Sequence, residues 1–254
     1  MSRFLLTGQC AIVTGGGSGI GRSAALLLAE ARARVAVLDK SESSARATAD
    51  EIVRRGGEAM AQAVDVTDEA GLERVFAAVA ERFGRLDVLV NNAGIAIRGP
   101  ALDLPVADWN TVLAVNLTGM FACARIAARH MKSFGHGGAI VNTASIMGLS
   151  GGLYPNIAYQ TSKGGVVNMT RALALEWAGE LIRVNAVAPT YVRTALTAGL
   201  LTNPEITATI AAATPLGRLA EPEEIAAAIL FLASPAASMI TGVILPVDGG
   251  YLAR

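Results

Sequence analysis

Tyr159 and Lys163 stand four residues apart in the run Y-Q-T-S-K. On a helix, positions i and i+4 share one face, with Cβ atoms about 5–6 Å apart, so this spacing can set an ammonium beside a phenol. A free tyrosine has a pKa of about 10 and is a poor base at pH 7. A neighbouring positive charge favours the phenolate, and a lowering by roughly 2–3, worth about 3–4 kcal/mol, brings the group near working pH. Ser145 lies upstream, beyond the apolar run 138–142, where a strand should stop. A hydroxyl there can hold the oxygen whose proton Tyr159 takes or gives. The chemistry suggested is proton transfer at an alcohol or carbonyl oxygen. A Y-x-x-x-K pair also occurs in ordinary helices as a half-buried aromatic beside a solvated lysine, so the surrounding elements decide its meaning.

The chain has 254 residues, 52% of them hydrophobic and 17% charged, which argues for one large α/β domain or two small ones with a substantial core. Lysines and arginines equal aspartates and glutamates at 21 each, so the net charge is zero and no basic field draws nucleic acid or an anionic membrane. Cys10 and Cys123 match no disulfide or metal spacing, and His130 and His136 are too few for a typical zinc site. The N-terminus shows no secretory signal, which leaves a reducing cytoplasm as the expected compartment. The uncharged stretch 226–247 is interrupted by Pro235, Gly242 and Pro246, and reads as a buried helix and strand rather than a bilayer span.

The elements that must position the chemistry begin with residues 10–14, an apolar run without polar alternation, as expected of a strand buried on both faces. It ends in Gly15-Gly16-Gly17-Ser18-Gly19-Ile20-Gly21 and passes into a helical pattern reaching about Ala31. Strand, glycine-rich turn and helix start are the setting of a dinucleotide site: glycines allow a tight turn and close approach, and helix N–H groups meet a pyrophosphate. A second strand, 35–38, ends in Asp39. A carboxylate there can accept hydrogen bonds from ribose hydroxyls and repel a 2′-phosphate, which favours NAD, although Lys40 beside it can swing toward a phosphate. Helix 42–55 and strand 59–64 follow. The strand ends at Asp65, which either faces an adenine edge or caps the next helix with Thr67 and Asp68. Helix 69–83 precedes strand 88–90, which leads into Asn91-Asn92-Ala93-Gly94, small and amide residues that admit a ligand's approach or brace neighbouring strands.

A long helix is expected over 109–133 with Asn116 inside it. Asparagine is a poor helix former, so its amide should bond the backbone or hold a water. Strand 139–142 leads to Ser145, and the helix bearing Tyr159 and Lys163 spans about 155–177. Strand 183–187 ends at Ala188-Pro189-Thr190, and residues 191–214 read as a flap of short helices hinged to the core. Helix 221–233 and strand 243–247 close the chain. Seven strands alternating with about six main helices predict a single-domain, Rossmann-type, doubly wound parallel sheet spanning residues 1–254, with the ligand mouth at the strands' carboxyl ends. Ile95, Met147, Tyr154, Asn156 and Tyr191 are the candidate substrate contacts, mixing apolar walls with a few polar groups. A core-packing role suits Met147 equally.

Together these motifs resemble the short-chain dehydrogenase/reductase family from about residue 8 to 251. The resemblance rests on Thr14-Gly15-x-x-x-Gly19-Ile20-Gly21, Asp65, Asn91-Asn92-Ala93-Gly94, Asn116, Ser145, Tyr159-x-x-x-Lys163 and Arg183-Val184-Asn185-x-x-x-Pro189. It implies that Tyr159 is the acid/base, that Ser145 orients the substrate oxygen, and that Lys163 lowers the phenol's pKa and binds the nicotinamide ribose. It further implies that Asn116 positions a water in a proton relay. Gly15, Gly17, Ser18, Gly19, Ile20, Gly21, Asp39, Asp65, Val66, Asn92, Ala93, Gly94, Pro189, Val192 and Thr194 would then hold the cofactor along with Tyr159 and Lys163. It also implies a homotetramer through helices 109–133 and 155–177 and the C-terminal strand. Thr190 stands where the family usually has glycine, and the Ser145–Tyr159 interval is one residue longer than the commonest spacing.

The expected activity is hydride transfer between nicotinamide and a secondary alcohol or ketone. A polyol or sugar-acid substrate is preferred, by resemblance to galactitol and gluconate dehydrogenases. One alternative is a 3-oxoacyl-carrier-protein reductase, for which Arg129 and Lys132 can contribute to docking an acidic partner. Another is a nucleotide-binding protein without catalysis.

Overall fold

The computed structural model describes Ser2–Ala253. Seven parallel strands form one sheet in the order β3-β2-β1-β4-β5-β6-β7. The strands are β1 (Cys10–Thr14), β2 (Arg34–Asp39), β3 (Glu58–Ala63), β4 (Val88–Asn91), β5 (Gly138–Thr143), β6 (Ile182–Pro189) and β7 (Ile244–Val247). The order reverses between β1 and β4, which pair directly with Ile12 opposite Leu89. At such a switch point, loops diverge above the strand ends and leave a crevice.

Successive side chains of a strand point to opposite faces, and both faces here are covered. Ala11, Val13, Val35, Val37, Val88 and Val90 pack into one core with α1 (Gly19–Glu30), α2 (Glu42–Arg54) and α9 (Pro222–Ala233). Cys10, Ile12, Ala36, Leu38, Leu89 and Ile140 enter the other, against α3 (Glu69–Phe83) and the helices carrying Cys123, Ile126 and Leu173. Unbroken apolar runs such as C-A-I-V-T follow from this double burial. The stretch 226–247 divides into the end of α9, a turn and β7, as its prolines and glycine predict.

The long central helix begins earlier than expected, just after Pro105, and is not uniform. It comprises α4 (Val106–Leu113), a π-helical segment over Ala114–Gly119, and α5 (Met120–Phe134). Among the described residues this is the helix long and apolar enough to cross a bilayer. Its buried positions, including Val112, Asn116 and Met131, face the core. The π segment holds Asn116 and Gly119, both poor α-helix formers; π turns are rare and frequent at functional sites. Helix α6 (Ile157–Glu176) carries Tyr159 and Lys163. Residues 190–214 hold two short helices, α7 (Ala195–Leu201) and α8 (Pro204–Ala213).

Candidate active site

The glycine-rich turn shows why small residues are needed there. A Cβ at Gly21 would lie 2.1 Å from the Gly15 carbonyl oxygen, and one at Gly15 would lie 2.9 Å from Ala93 Cα. A Cβ at Gly17 would meet Ser44 Cβ at 2.6 Å. Ser18 is the N-cap residue of α1, but its side chain caps nothing, so the first-turn N–H groups remain for a ligand. They open on a cleft of about 410 Å³ lined by Gly15, Ser18, Gly19, Ile20, Asp39, Asp65, Val66, Asn92, Ala93, Gly94, Ile95 and Thr194. Uncapped helix start, backbone-close glycines and elongated cleft together fit a dinucleotide.

Asp39 ends β2 as expected. Its carboxylate accepts from the Gly17 N–H (3.0 Å) and the Ser41 N–H (2.9 Å), which fixes it on the cleft wall. Lys40 does not swing free: its ammonium lies 2.8 Å from Asp65. Asp65 also accepts from the Thr67 N–H and hydroxyl. With Lys40 as the main cause, its carboxyl is pulled down to about 2. The helix cap is Asp68, which accepts from the Gly71 N–H, so Asp65 is a wall and turn residue instead. Asn92 bonds the Thr14 and Gly15 carbonyls, and Asn91 bonds Asn142 and the Met120 carbonyl, bracing β1, β4 and β5.

Not every residue expected at the cofactor lines this cleft. Gly17 and Gly21 shape the turn from behind. Pro189 ends β6 opposite Val247, and Val192 is buried in a bridge to Ala220. Lys163 on α6 does not line the cleft either, although its Nζ lies 3.7 Å from where a Cβ on the cleft residue Gly94 would stand.

A second, smaller pocket of about 60 Å³ adjoins the cleft. Ser145, Met147, Tyr154, Asn156, Tyr159, Thr190 and Tyr191 line it with Ala96, Arg98, Ile146, Leu196, Thr197 and Leu200. Four of the five expected substrate contacts are therefore brought together with Ser145 and Tyr159. Ile95 is the exception and faces the cleft. The cause is Asn116, which accepts from the Ile95 N–H (2.8 Å) and donates to its carbonyl (2.9 Å) and to the Ser162 hydroxyl (3.1 Å). That buried amide bonds the backbone, which fixes the loop after β4.

Lys163 is buried and donates to the Thr143 carbonyl (2.6 Å), with Nζ 5.5 Å from the Tyr159 ring centroid. Amine and phenol share one region, as the spacing predicts. Burial pushes the Tyr159 phenol up, opposed by the Ser145 hydroxyl and the Arg98 charge rather than by Lys163. The same desolvation brings Lys163 down to about 8. Both groups lose water, so both charged forms are disfavoured, and the ammonium is turned toward Thr143. Ser145 sits at the end of β5 with its Oγ accepting from the Met147 N–H (3.1 Å).

The longer interval after Ser145 is taken up by a 3₁₀ turn at 146–148 and by Gly152, whose φ of +74° suits glycine. Sequence reasoning missed Arg98, while Leu196 and Leu200 entered it only as unnamed parts of the flap expected at the substrate pocket. They come from a loop and a flap helix without periodicity or motif. Leu38 and Val64 of the cleft were within reach, since both lie near strand ends.

The chain belongs to the short-chain dehydrogenase/reductase family. A family model described as enoyl-(acyl carrier protein) reductase matches residues 15–252. The chain is 48% identical to a cis-4-hydroxycyclohexanecarboxylate dehydrogenase of Sinomonas cyclohexanicum, over 96% of this chain and 97% of the relative. It is 46% identical to an L-tagatose-forming galactitol 2-dehydrogenase of Cereibacter sphaeroides, covering 98% and 96%. The fold superposes with a TM-score of 0.95 on a gluconate 5-dehydrogenase of Burkholderia cenocepacia J2315 solved with NADP and tartrate, at 34% identity over 100% and 98% of the two chains.

Proposed function

We propose that this protein interconverts a small secondary alcohol, of the polyol or sugar-acid kind, and its ketone, with Tyr159 as the acid/base and NAD as the preferred cofactor. The single observation that carries the reading is the meeting of the Ser145–Tyr159 pocket and the glycine-lined cleft at Leu196, with the Lys163 amine buried near Gly94 of the cleft and Tyr159 of the pocket. A bound nicotinamide supplies the hydride carrier and, when oxidised, a positive charge near the phenol. The chain does the remainder. Tyr159 passes one proton to or from the substrate oxygen, and Ser145 hydrogen-bonds the same oxygen as charge develops on it. Lys163 and Thr143 fix the floor beneath them. Burial leaves Tyr159 protonated, so the ligand-free site stands ready to donate to a carbonyl oxygen.

Asp39, held by two backbone N–H groups, supports NAD, and Lys40 is engaged by Asp65 rather than available to a 2′-phosphate. The pocket encloses only about 60 Å³, against roughly 300–1,000 Å³ for ordinary small-molecule sites. Opening by α7, which contributes Leu196, Thr197 and Leu200, is therefore part of the proposal, with residues 190–214 as the flap. Exposed Phe121 on α5 and Leu175 on α6 support a homotetramer built on those helices; free, buried Cys10 and Cys123 suit a cytoplasmic enzyme. The acyl-carrier alternative finds its docking cations engaged, Arg129 with Glu73 and Lys132 with Glu180.

The test is absorbance at the reduced-nicotinamide band for a panel of polyols, sugar acids and hydroxy esters, with NAD and NADP in parallel. NAD-linked turnover of small secondary alcohols is expected. Turnover confined to NADPH with 3-oxoacyl thioesters would overturn the reading.

A further inference from the structure

The pocket beside Ser145 and Tyr159 holds polar groups that proton transfer does not use. Among the described residues, Arg98 is the only charged one lining it, and no carboxylate does. One Nη of Arg98 donates to the Leu196 carbonyl (3.0 Å). A guanidinium carries five N–H donors in a fixed fork, so this single bond anchors the group and leaves most of the fork open. Among the described residues no acid lies within ion-pairing distance of it. Its charge reaches both pocket phenols, acting against burial at Tyr159 and at Tyr191.

Two oxygens in the same pocket, Asn156 Oδ1 and Thr190 Oγ1, are buried with no hydrogen-bond partner. Thr190 is only 9% exposed. Buried polar atoms are nearly always paired in folded proteins, so two unpaired oxygens on residues that line one pocket are available to a ligand that enters as it opens, the Thr190 hydroxyl able to accept or donate. Asn156 is also tied to the Arg98 loop by a backbone bridge to Gly99. Ala96, Ile146, Met147, Leu196 and Leu200 give the pocket its apolar wall, and Tyr154, Tyr191 and Thr197 add hydroxyls.

We propose that the pocket selects a hydroxy acid: Arg98 takes the substrate's carboxylate, and Asn156 and Thr190 accept hydrogen bonds from a second hydroxyl. The proposal rests on the secondary-alcohol activity proposed above and names its substrate class. The fork matches a carboxylate bidentately, which would anchor one end of the substrate and turn the carbinol carbon toward Ser145 and Tyr159. A neutral polyol offers that fork no counter-charge.

The experiment pairs 3-, 4- and 5-hydroxyhexanoate with the diols in which CH₂OH replaces the carboxylate, and compares kcat/KM within each pair. For at least one pair the acid should lead by about tenfold or more, and that ratio should fall about tenfold in Arg98→Met, chiefly through KM. Arg98→Lys should restore part of it, since the charge returns without the fork. Thr190→Gly should lower kcat/KM for 4,5-dihydroxyhexanoate more than for 5-hydroxyhexanoate, by roughly threefold. Turnover of the diols with no acid preference in the unmutated enzyme overturns this proposal alone. Equal losses for acid and diol in Arg98→Met, reduced to a structural effect, overturn it as well. No turnover of any member while the polyols of the panel above are turned over overturns this proposal alone; no turnover of either set overturns the secondary-alcohol activity as well.

Discussion

The cleft and the pocket share a wall at Leu196 but are built from different materials. The cleft is mostly main chain: glycines with no room for a Cβ, an uncapped helix start, and strand ends held in register by Asn91 and Asn92. The pocket is mostly side chains, drawn from the loops after β4, β5 and β6 and from α7. A backbone cradle tolerates few changes and serves one kind of ligand. A pocket of side chains on loops can be re-lined without disturbing the sheet. The relatives named above, acting on a cyclic hydroxy acid and on a hexitol, are what such a division of labour allows.

The largest expected effect lies on the pocket side. Tyr159→Phe should reduce kcat by about 10²–10⁴ while dinucleotide affinity, measured by fluorescence titration, stays within about threefold. Unchanged turnover would remove Tyr159 as the acid/base. On the cleft side, Gly21→Ala drives a Cβ into the Gly15 carbonyl. It should weaken cofactor binding by roughly tenfold and cost about 1–3 kcal/mol of stability. Gly179→Ala, where a Cβ meets nothing, is the matched control. If both variants bind the dinucleotide equally well, the cradle is not made of backbone.

Asp39→Asn should move the NADP/NAD ratio of kcat/KM toward NADP by about tenfold, because a like-charge clash with a 2′-phosphate is removed. No change in the ratio would place cofactor choice elsewhere. The smallest effect is on stability at alkaline pH. Burial lowers Lys163 from its ordinary 10.5 to about 8. Below about pH 8 both states carry the proton, and the buried charge costs stability in full. Between 8 and 10.5 the unfolded chain binds the proton and the folded chain does not, so stability rises with pH. Across that window the unmutated protein should gain on the order of 1–3 kcal/mol relative to Lys163→Met in paired denaturant titrations. A constant difference would mean that the amine titrates normally.

The same contrast explains what could be read in the sequence. Strands such as 10–14 and 88–90 were legible because double burial demands uninterrupted apolar runs, and the mouth was legible because parallel strands gather their carboxyl ends. Asp39, Asn116, Ser145, Tyr159 and Lys163 lie on or beside such elements, so spacing found them. Arg98 and Leu196 sit 98 residues apart along the chain and meet through a single hydrogen bond, a relation no local pattern encodes. Spacing shows that an ammonium can approach the phenol, but it shows neither the burial around both groups nor the bond from the amine to the Thr143 carbonyl.

Leu196 forms part of both chambers, and its carbonyl receives the Arg98 guanidinium. Whatever shifts the start of α7 therefore resizes two compartments at once. By thermodynamic reciprocity, a ligand that draws this segment inward on one side must alter the other's affinity by the same factor in return. A ligand that moves this leucine from one side would therefore reshape the other side too, although the leucine itself reacts with neither.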